Sequence, residues 1–412
     1  MHKKMKNWSR RNFIKTAGAA GVGSMLTPIG RLANASNQST LKISEQMVVP
    51  TRPFGKTGVN VSMLALGGIL DLMYYQLLLR QTLKMGVTYW DTAESYLHGN
   101  SEAGIGKYFA RYPEDRKKIF LVTKTDSRDP DNMTLALNGS LATMKTSYID
   151  LYFLHDVSDV EDEINQKTRN WAEKAKADGK IRFFGFSTHS NMEGCMIEAA
   201  KLGWIDGIMI MYNYRLMHTD GMKEAVDACA KAGIGLTAMK AQASSVWHDV
   251  GKESEAALKL TEQFQKKGFT FEQAKLKAVW QNPHIASICT LMQNTAVLEA
   301  NAAAALDRTH LSLKDMKMLE QHARETASGY CAGCANICES AIEGDVPISK
   351  MMRCLMYYRS YGDRDQARTL FKELPPDTRK RMISLDYSKA EKRCPQEMPI
   401  GRLMREAAKE LA

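Results

Sequence analysis

The stretch TYWDTAESYLHGNSEAGIGK, residues 88–107, decides the fold. Its first four residues form a short β-branched and aromatic run, Thr88–Asp91, which follows a helix-like segment, Leu72–Met85, and ends in the polar group Asp91-Thr92-Ala93. The same unit recurs outward in both directions. From about residue 61 to 305, eight such runs alternate with helical patterns: Val61–Leu66, Thr88–Asp91, Ile119–Thr123, Ile149–Leu154, Ile181–Phe186, Gly207–Met211, Ile234–Ala238 and Ala286–Leu291. Helix-like segments such as Glu161–Ala177 and Met222–Ala232 separate them. A chain that repeats strand and helix in this way builds a parallel sheet with helices outside it. Eight repeats predict an α/β fold closed as a TIM-type (β/α)₈ barrel.

After residue 305 the character changes. A helix-like stretch, Leu313–Thr326, leads to Ser328-Gly329, then to cysteines and to basic, Tyr- and Met-rich sequence, with Gly401–Leu411 as a closing amphipathic helix. The expected organisation is an N-terminal signal over 1–35, a linker over 36–51, the barrel over 52–327 and a C-terminal cysteine segment over 328–412.

The formal charge of +10 is concentrated at the N-terminus, where Met1–Ala35 holds seven basic and no acidic residues. The remainder is close to neutral and has no long Lys/Arg run, which argues against a nucleic-acid partner. Ser9-Arg10-Arg11-Asn12-Phe13-Ile14-Lys15 matches the twin-arginine export pattern, an Ala/Gly-rich apolar stretch runs from Thr16 to Ile29, and Ala33-Asn34-Ala35 offers a small-x-small cleavage site. Together they predict a removable signal, passage through the twin-arginine translocase and a periplasmic or otherwise exported protein. No later apolar run is long enough to cross a bilayer.

Chemistry in such barrels sits at the C-terminal ends of the strands. There the chain carries Gly67-Gly68, Asp91, Lys124, His155-Asp156, Ser187-Thr188-His189 and Lys240, with Tyr96 in the loop after Asp91. Neighbouring strands bring Asp91, Tyr96, Lys124 and His155 together. A phenol beside an ammonium could hand a proton to a developing alkoxide. Lys124 would lower the pKa of Tyr96, Asp91 would hold the lysine charged and oriented, and His155 would hydrogen-bond the substrate oxygen. His98, His189, Trp247 and His248 are lesser candidates on strand-end loops, and the Tyr357-Tyr358 region reads as packing.

The combination resembles the aldo-keto reductase signature. Asp91-Thr92-Ala93-Glu94-Ser95-Tyr96, Gly99-Asn100-Ser101-Glu102 and Gly104-Ile105-Gly106-Lys107 carry it. Phe54-Gly55-Lys56-Thr57-Gly58, Ile149-Asp150-Leu151 before His155, and Gly179-Lys180-Ile181-Arg182 extend the likeness over about residues 52–305. The resemblance implies an Asp/Tyr/Lys/His tetrad at Asp91, Tyr96, Lys124 and His155. It also implies hydride transfer between NAD(P)(H) and a small carbonyl or alcohol substrate. For the nucleotide it implies contacts at Ser187, Thr188, Met239 and Asn301. There the chain departs from the family: Thr188 replaces the usual Asn, Met209 the usual Gln and Met239 the usual stacking aromatic. Leu291 and Val297 stand where cations commonly hold phosphates, so a 2′-phosphate would be held poorly.

Cys331-Ala332-Gly333-Cys334 with Cys338, and later Cys394-Pro395, resembles the two-cluster ferredoxin segment. The positions that would complete a second cluster are Ile342, Ser384, Tyr387 and Ala390, all non-ligating. One complete set remains, Cys331, Cys334, Cys338 and Cys394, which implies a single [4Fe-4S] cluster in a ferredoxin-like appendage and a possible electron-transfer partner. The Cys334–Cys338 gap is one residue longer than the pattern, Cys354 is an alternative ligand, and zinc or disulfides also suit four thiols. Cys195, Cys229 and Cys289 read as small core residues. A rival reading is a barrel that has lost catalysis and serves as a redox-sensing or binding protein.

Overall fold

The computed structural model describes residues 48–243 and 255–412. The signal, most of the linker, and the candidates Trp247 and His248 lie outside the described residues. Ten strands are present among them: β1 (Thr51–Pro53), β2 (Asn60–Ser62), β3 (Leu64–Gly67), β4 (Tyr89–Asp91), β5 (Phe120–Thr125), β6 (Ile149–Leu154), β7 (Ile181–Thr188), β8 (Gly207–Met211), β9 (Gly235–Met239) and β10 (Ile285–Leu291). β3 to β10 close into an eight-stranded barrel in chain order, with β10 returning to β3 and every pair parallel. Helices connect successive strands around the outside. The expected (β/α)₈ barrel is the fold.

The first expected strand, Val61–Leu66, is two strands. Val61 and Ser62 belong to an antiparallel hairpin with β1, pairing Thr51 with Ser62 and Pro53 with Asn60; the barrel strand begins only at Leu64. Ser62 explains the break. Its hydroxyl accepts from the Thr88 and Tyr89 amides at 3.1 Å and donates to the Leu64 carbonyl at 2.8 Å, so this side chain turns the backbone from hairpin into barrel. The hairpin closes the N-terminal end of the barrel. Phe54 is fully buried there, and a Cβ at Gly235 would come within 2.5 Å of its ring, so a glycine is what admits the plug. Burying that ring contributes about 2–3 kcal/mol.

The C-terminal segment is helical throughout its regular elements. It builds a second apolar cluster around Met351, Met352, Leu355, Leu403 and Met404, separate from the barrel's own core. Described residues of barrel and segment nevertheless form one compact unit. The segment lies on the strand ends. The Gly333 carbonyl accepts from the Asn191 amide at 2.8 Å, Asn191 Oδ1 accepts from the Asn336 amide at 2.8 Å, and Asn213 Nδ2 donates to the Tyr330 hydroxyl at 2.8 Å. Gly333 has φ +80°, and a Cβ there would sit 2.2 Å from the His189 carbonyl oxygen. Only glycine lets the cysteine loop approach so closely.

The helix Leu313–Glu325 leads into this segment and is fixed by Asp315. Its carboxylate accepts from Lys267 Nζ at 2.6 and 2.5 Å, from Gln263 Nε2 at 3.0 Å and from the Ser312 amide at 2.8 Å, completing a capping box. Burial pushes this carboxyl up, but the hydrogen bonds from Lys267 and Ser312 outweigh it and hold the group at about 2. A depressed carboxyl stabilises the fold above its unfolded pKa of about 4 and loses that contribution as pH falls toward 2. Asp315→Asn is therefore expected to lower stability by about 1.5–3 kcal/mol at neutral pH. Denaturant titrations between pH 7 and 2 would show the difference from the parent shrinking on the acid limb.

Among the described residues no helix is long and apolar enough to cross a membrane.

Candidate active site

Asp91 ends β4, Lys124 lies near the end of β5 and His155 follows β6. The register places Asp91 opposite Val122 and Lys124 opposite Phe153, so the three emerge side by side at one mouth. Lys124 is 1% and Asp91 3% exposed. The ammonium donates to Asp91 Oδ2 at 2.7 Å, to the Thr92 carbonyl at 2.7 Å and to the Tyr96 hydroxyl at 3.4 Å. Its three hydrogens are thereby directed. Tyr96 stands on a single 3₁₀ turn whose next residues, Leu97 and His98, have φ of +51° and +54°. That left-handed backbone is uncommon for such residues and returns the phenol over the mouth. The His155 ring meets the Tyr96 ring edge-on at 5.7 Å, and its Nδ1 lies 3.0 Å from Asp126 Oδ1.

All four expected catalytic residues thus share one site. The electrostatics differ from expectation. Burial, reinforced by Asp91, raises the Tyr96 hydroxyl well above the usual range. Lys124 stands 3.4 Å from this hydroxyl, but burial and Asp91 prevail. Tyr96 is accordingly a firmly protonated phenol, equipped to donate. Burial also pushes the Asp91 carboxyl up, against the pull of Lys124.

The expected nucleotide contacts are spread over neighbouring elements. Ser187 and Thr188 end β7 and Met239 ends β9, all buried. Ser187 Oγ accepts from the Asp156 amide at 3.1 Å and keeps its own hydrogen to donate; Thr188 donates to the Ser190 carbonyl at 2.9 Å. Asn301 is buried on the helix Thr295–Leu306, and its Nδ2 has no hydrogen-bond partner among the described residues. No Lys or Arg occurs from 291 to 307.

The four expected ligand cysteines meet. Cys331, Cys334, Cys338 and Cys394 line one small cavity together with Met352, Pro395 and Met398. Cys354 does not line it and is fully buried in the second apolar cluster. All eight cysteines are free thiols. Among the described residues no three Cys, His, Asp or Glu side chains are close enough to grip a single metal ion. Burial pushes Cys331 and Cys338 up to about 12 and Cys334 to about 11. Cys195, Cys229 and Cys289 are buried in the barrel's core cluster.

Arg353 and Tyr357, which the sequence reading did not place here, complete the mouth beside Asp156, His189 and Lys240, which it did. Arg353 of the helix Ile348–Met356 grips Asp156 with two bonds of 2.9 and 2.6 Å, and Asp156 also meets His189 Nδ1 at 3.0 Å. Lys240 donates to the Tyr357 hydroxyl at 3.2 Å, so Tyr357 belongs to the mouth as well as to packing. The signal for Lys240 was its place after the seventh barrel strand; Arg353 and Tyr357 gave none. His98 is exposed.

The sequence pattern of the aldo/keto reductase family matches residues 72–324, more than half of the chain. The chain belongs to the aldo/keto reductase family. Among its relatives, an NADP(+) aldo-keto reductase of Schizosaccharomyces pombe is 32% identical over 34% of this chain and 46% of its own length. L-galactose dehydrogenase of Arabidopsis thaliana is 21% identical over 67% of this chain and 94% of its own. The matches with the first five curated relatives span only 39% to 64% of their lengths. The structure of an aldo-keto reductase from Bacillus halodurans in its holo form superposes with a TM-score of 0.56 at 23% identity, over 66% of this chain and 96% of that one. That likeness shows that the barrel of this aldo/keto reductase is the one found in that solved structure.

Proposed function

We propose that this aldo/keto reductase is an exported oxidoreductase that interconverts a small carbonyl compound and its alcohol. The convergence of the Tyr96 hydroxyl, Lys124 Nζ and the His155 ring over Asp91 supports this reading most directly. The substrate oxygen would lie between the phenol and the imidazole. Tyr96 donates its proton to the oxygen as charge develops there, and Lys124, held by Asp91, stabilises the phenolate left behind. In the reverse direction the same phenolate takes the alcohol proton.

A nicotinamide nucleotide would supply the hydride. Ser187 and Asn301 each offer an unspent hydrogen-bond donor to it, and Thr188 and Met239 would flank it. The absence of cations between 291 and 307 favours NAD(H) over NADP(H).

Four soft thiol donors around one cavity suit an iron–sulfur cluster, which would supply one-electron chemistry. Cys334 and Cys394 remain partly exposed, which gives an electron-transfer partner somewhere to approach. Export through the twin-arginine translocase, read from Arg10 and Arg11, accords with a protein that must fold around such a group before it leaves the cytoplasm.

Tyr96→Phe tests the catalytic reading. Turnover of ketones with NADH or NADPH is expected to fall by about 10²–10⁴, and wild-type turnover in the variant would refute it. Anaerobically purified full-length protein is expected to be brown, with about four irons and matching sulfide per chain. A colourless zinc protein would overturn the cluster.

A further inference from the structure

The helix Ile348–Met356 lays its first turn on the thiol cavity, which Ile348, Ser349 and Met352 line alongside Cys331. Apart from the thiols, Ser349 and Gln396 are the only side chains in its described lining that can donate a hydrogen bond. Gln396 is partly exposed, whereas Ser349 is 6% exposed. Ser349 and Cys331 also both line the adjoining cavity beside His189, so they are neighbours on the wall between the two.

The donors of Ser349 are few. Its amide, at the head of the helix, is taken by Glu339 Oε1 at 3.0 Å, which leaves the hydroxyl. That oxygen lies 3.2 Å from Ser190 Oγ, on the loop after β7. Two hydroxyls in contact hold two hydrogens and use one between them. When Ser349 donates to Ser190, the spare hydrogen sits on Ser190, which does not line the thiol cavity. When Ser190 donates to Ser349, the spare hydrogen sits on Ser349, on the wall it shares with Cys331. A metal-holding sulfur is a thiolate, which accepts and cannot donate, so loading the thiols selects the second order. Burial pushes the Cys331 thiol up to about 12, and the Ser349 hydroxyl acts the other way. Ser190 is itself anchored in the barrel: its carbonyl accepts from Thr188 Oγ1 at 2.9 Å, and the next amide, of Asn191, donates to the Gly333 carbonyl at 2.8 Å.

We infer that Ser190 and Ser349 form a two-hydroxyl relay, rooted in the barrel, that donates a hydrogen bond to the Cys331 sulfur and raises the reduction potential of the iron–sulfur group held there. The inference rests on the cluster reading above and deepens it. The sign follows from charge: an added electron makes the group more negative, and a hydrogen-bond donor stabilises the more negative state more. Ser349 keeps its proton throughout, so the step is one electron in, with no bond made or broken.

Anaerobically purified full-length protein, titrated with sodium dithionite at fixed pH with mediator dyes, gives the potential from its visible absorption. Ser349→Ala is expected to lower the equilibrium constant for reduction about tenfold, which is about 59 mV for one electron. Ser190→Ala should shift it the same way by about twofold, the cooperative strengthening lost from the chain. Ser349→Thr and Ser349→Val have nearly equal volume and differ in the hydroxyl, so threonine should stand about tenfold above valine. A wall loosened enough to admit water would raise the potential, the opposite sign. A brown wild type whose potential is unchanged or raised in Ser349→Ala, or equal in the threonine and valine variants, would overturn the relay and leave the cluster standing. Ser190 lies outside the thiol cavity, so Ser190→Ala reports even where substitutions at 349 prevent loading, and an unshifted potential there also overturns the relay. Wild-type protein without iron overturns cluster and relay together.

Discussion

Lys124→Met is expected to lower folding stability by about 3–5 kcal/mol and to reduce turnover at least as far as loss of the Tyr96 hydroxyl does. Methionine fills nearly the same volume, so the effect is electrostatic. Asp91 is 3% exposed, and the ammonium is its only ion-pair partner among the described residues, at 2.7 Å; its other oxygen already lacks a hydrogen-bond partner. Removing one member of such a pair leaves an uncompensated buried charge, the most expensive way to break it. Burial already pushes the Asp91 carboxyl up, and loss of Lys124 pushes it further. Equilibrium unfolding in urea would measure the loss, and Asp91→Asn combined with Lys124→Met should recover part of it. A single variant as stable as the parent would mean that the pair does not carry the electrostatics assigned to it.

Arg353→Met is expected to loosen the C-terminal segment and spare the barrel. The guanidinium makes two charge-assisted bonds to Asp156 across a separation of 197 residues, and each end sits on a different apolar cluster. Asp156 is 35% exposed, so water compensates part of the loss, and about 2–3 kcal/mol is the reasonable scale. That corresponds to an opening equilibrium about 30- to 150-fold larger. Hydrogen exchange over residues 348–361 should accelerate by this factor, with the strands β3 to β10 unaffected. Burial raises the Asp156 carboxyl, but Arg353 and His189 outweigh it and hold the group well below the ordinary carboxylate range. The clasp is therefore intact above about pH 4 and weakens as pH falls below it. Unchanged protection in the variant would show that the segment is held by other contacts.

The barrel was legible because its strands are short apolar runs, each ended by a polar group, and because that polar group is where the chemistry sits. Asp91, Lys124 and His155 could be picked out for this reason alone. The first strand was misread because hairpin and barrel strand abut with only Met63 between them, and nothing in their composition shows that Ser62 turns the chain. The direction in which the Tyr96 hydroxyl is shifted was misjudged for a different reason. Residue types announce which charges are present, but not that burial and Asp91 outweigh a cation 3.4 Å away. Arg353 and Tyr357 reach the mouth across 197 and 117 positions, and no local pattern carries contacts of that range.

The cavity lined by the four thiols and a second cavity, lined by His189, Met211 and Arg353, share Cys331, Ser349 and Met352 as a common wall. Any change that filling one compartment makes to this wall is met by a ligand in the other, and by thermodynamic necessity a coupling of that kind is equal in both directions.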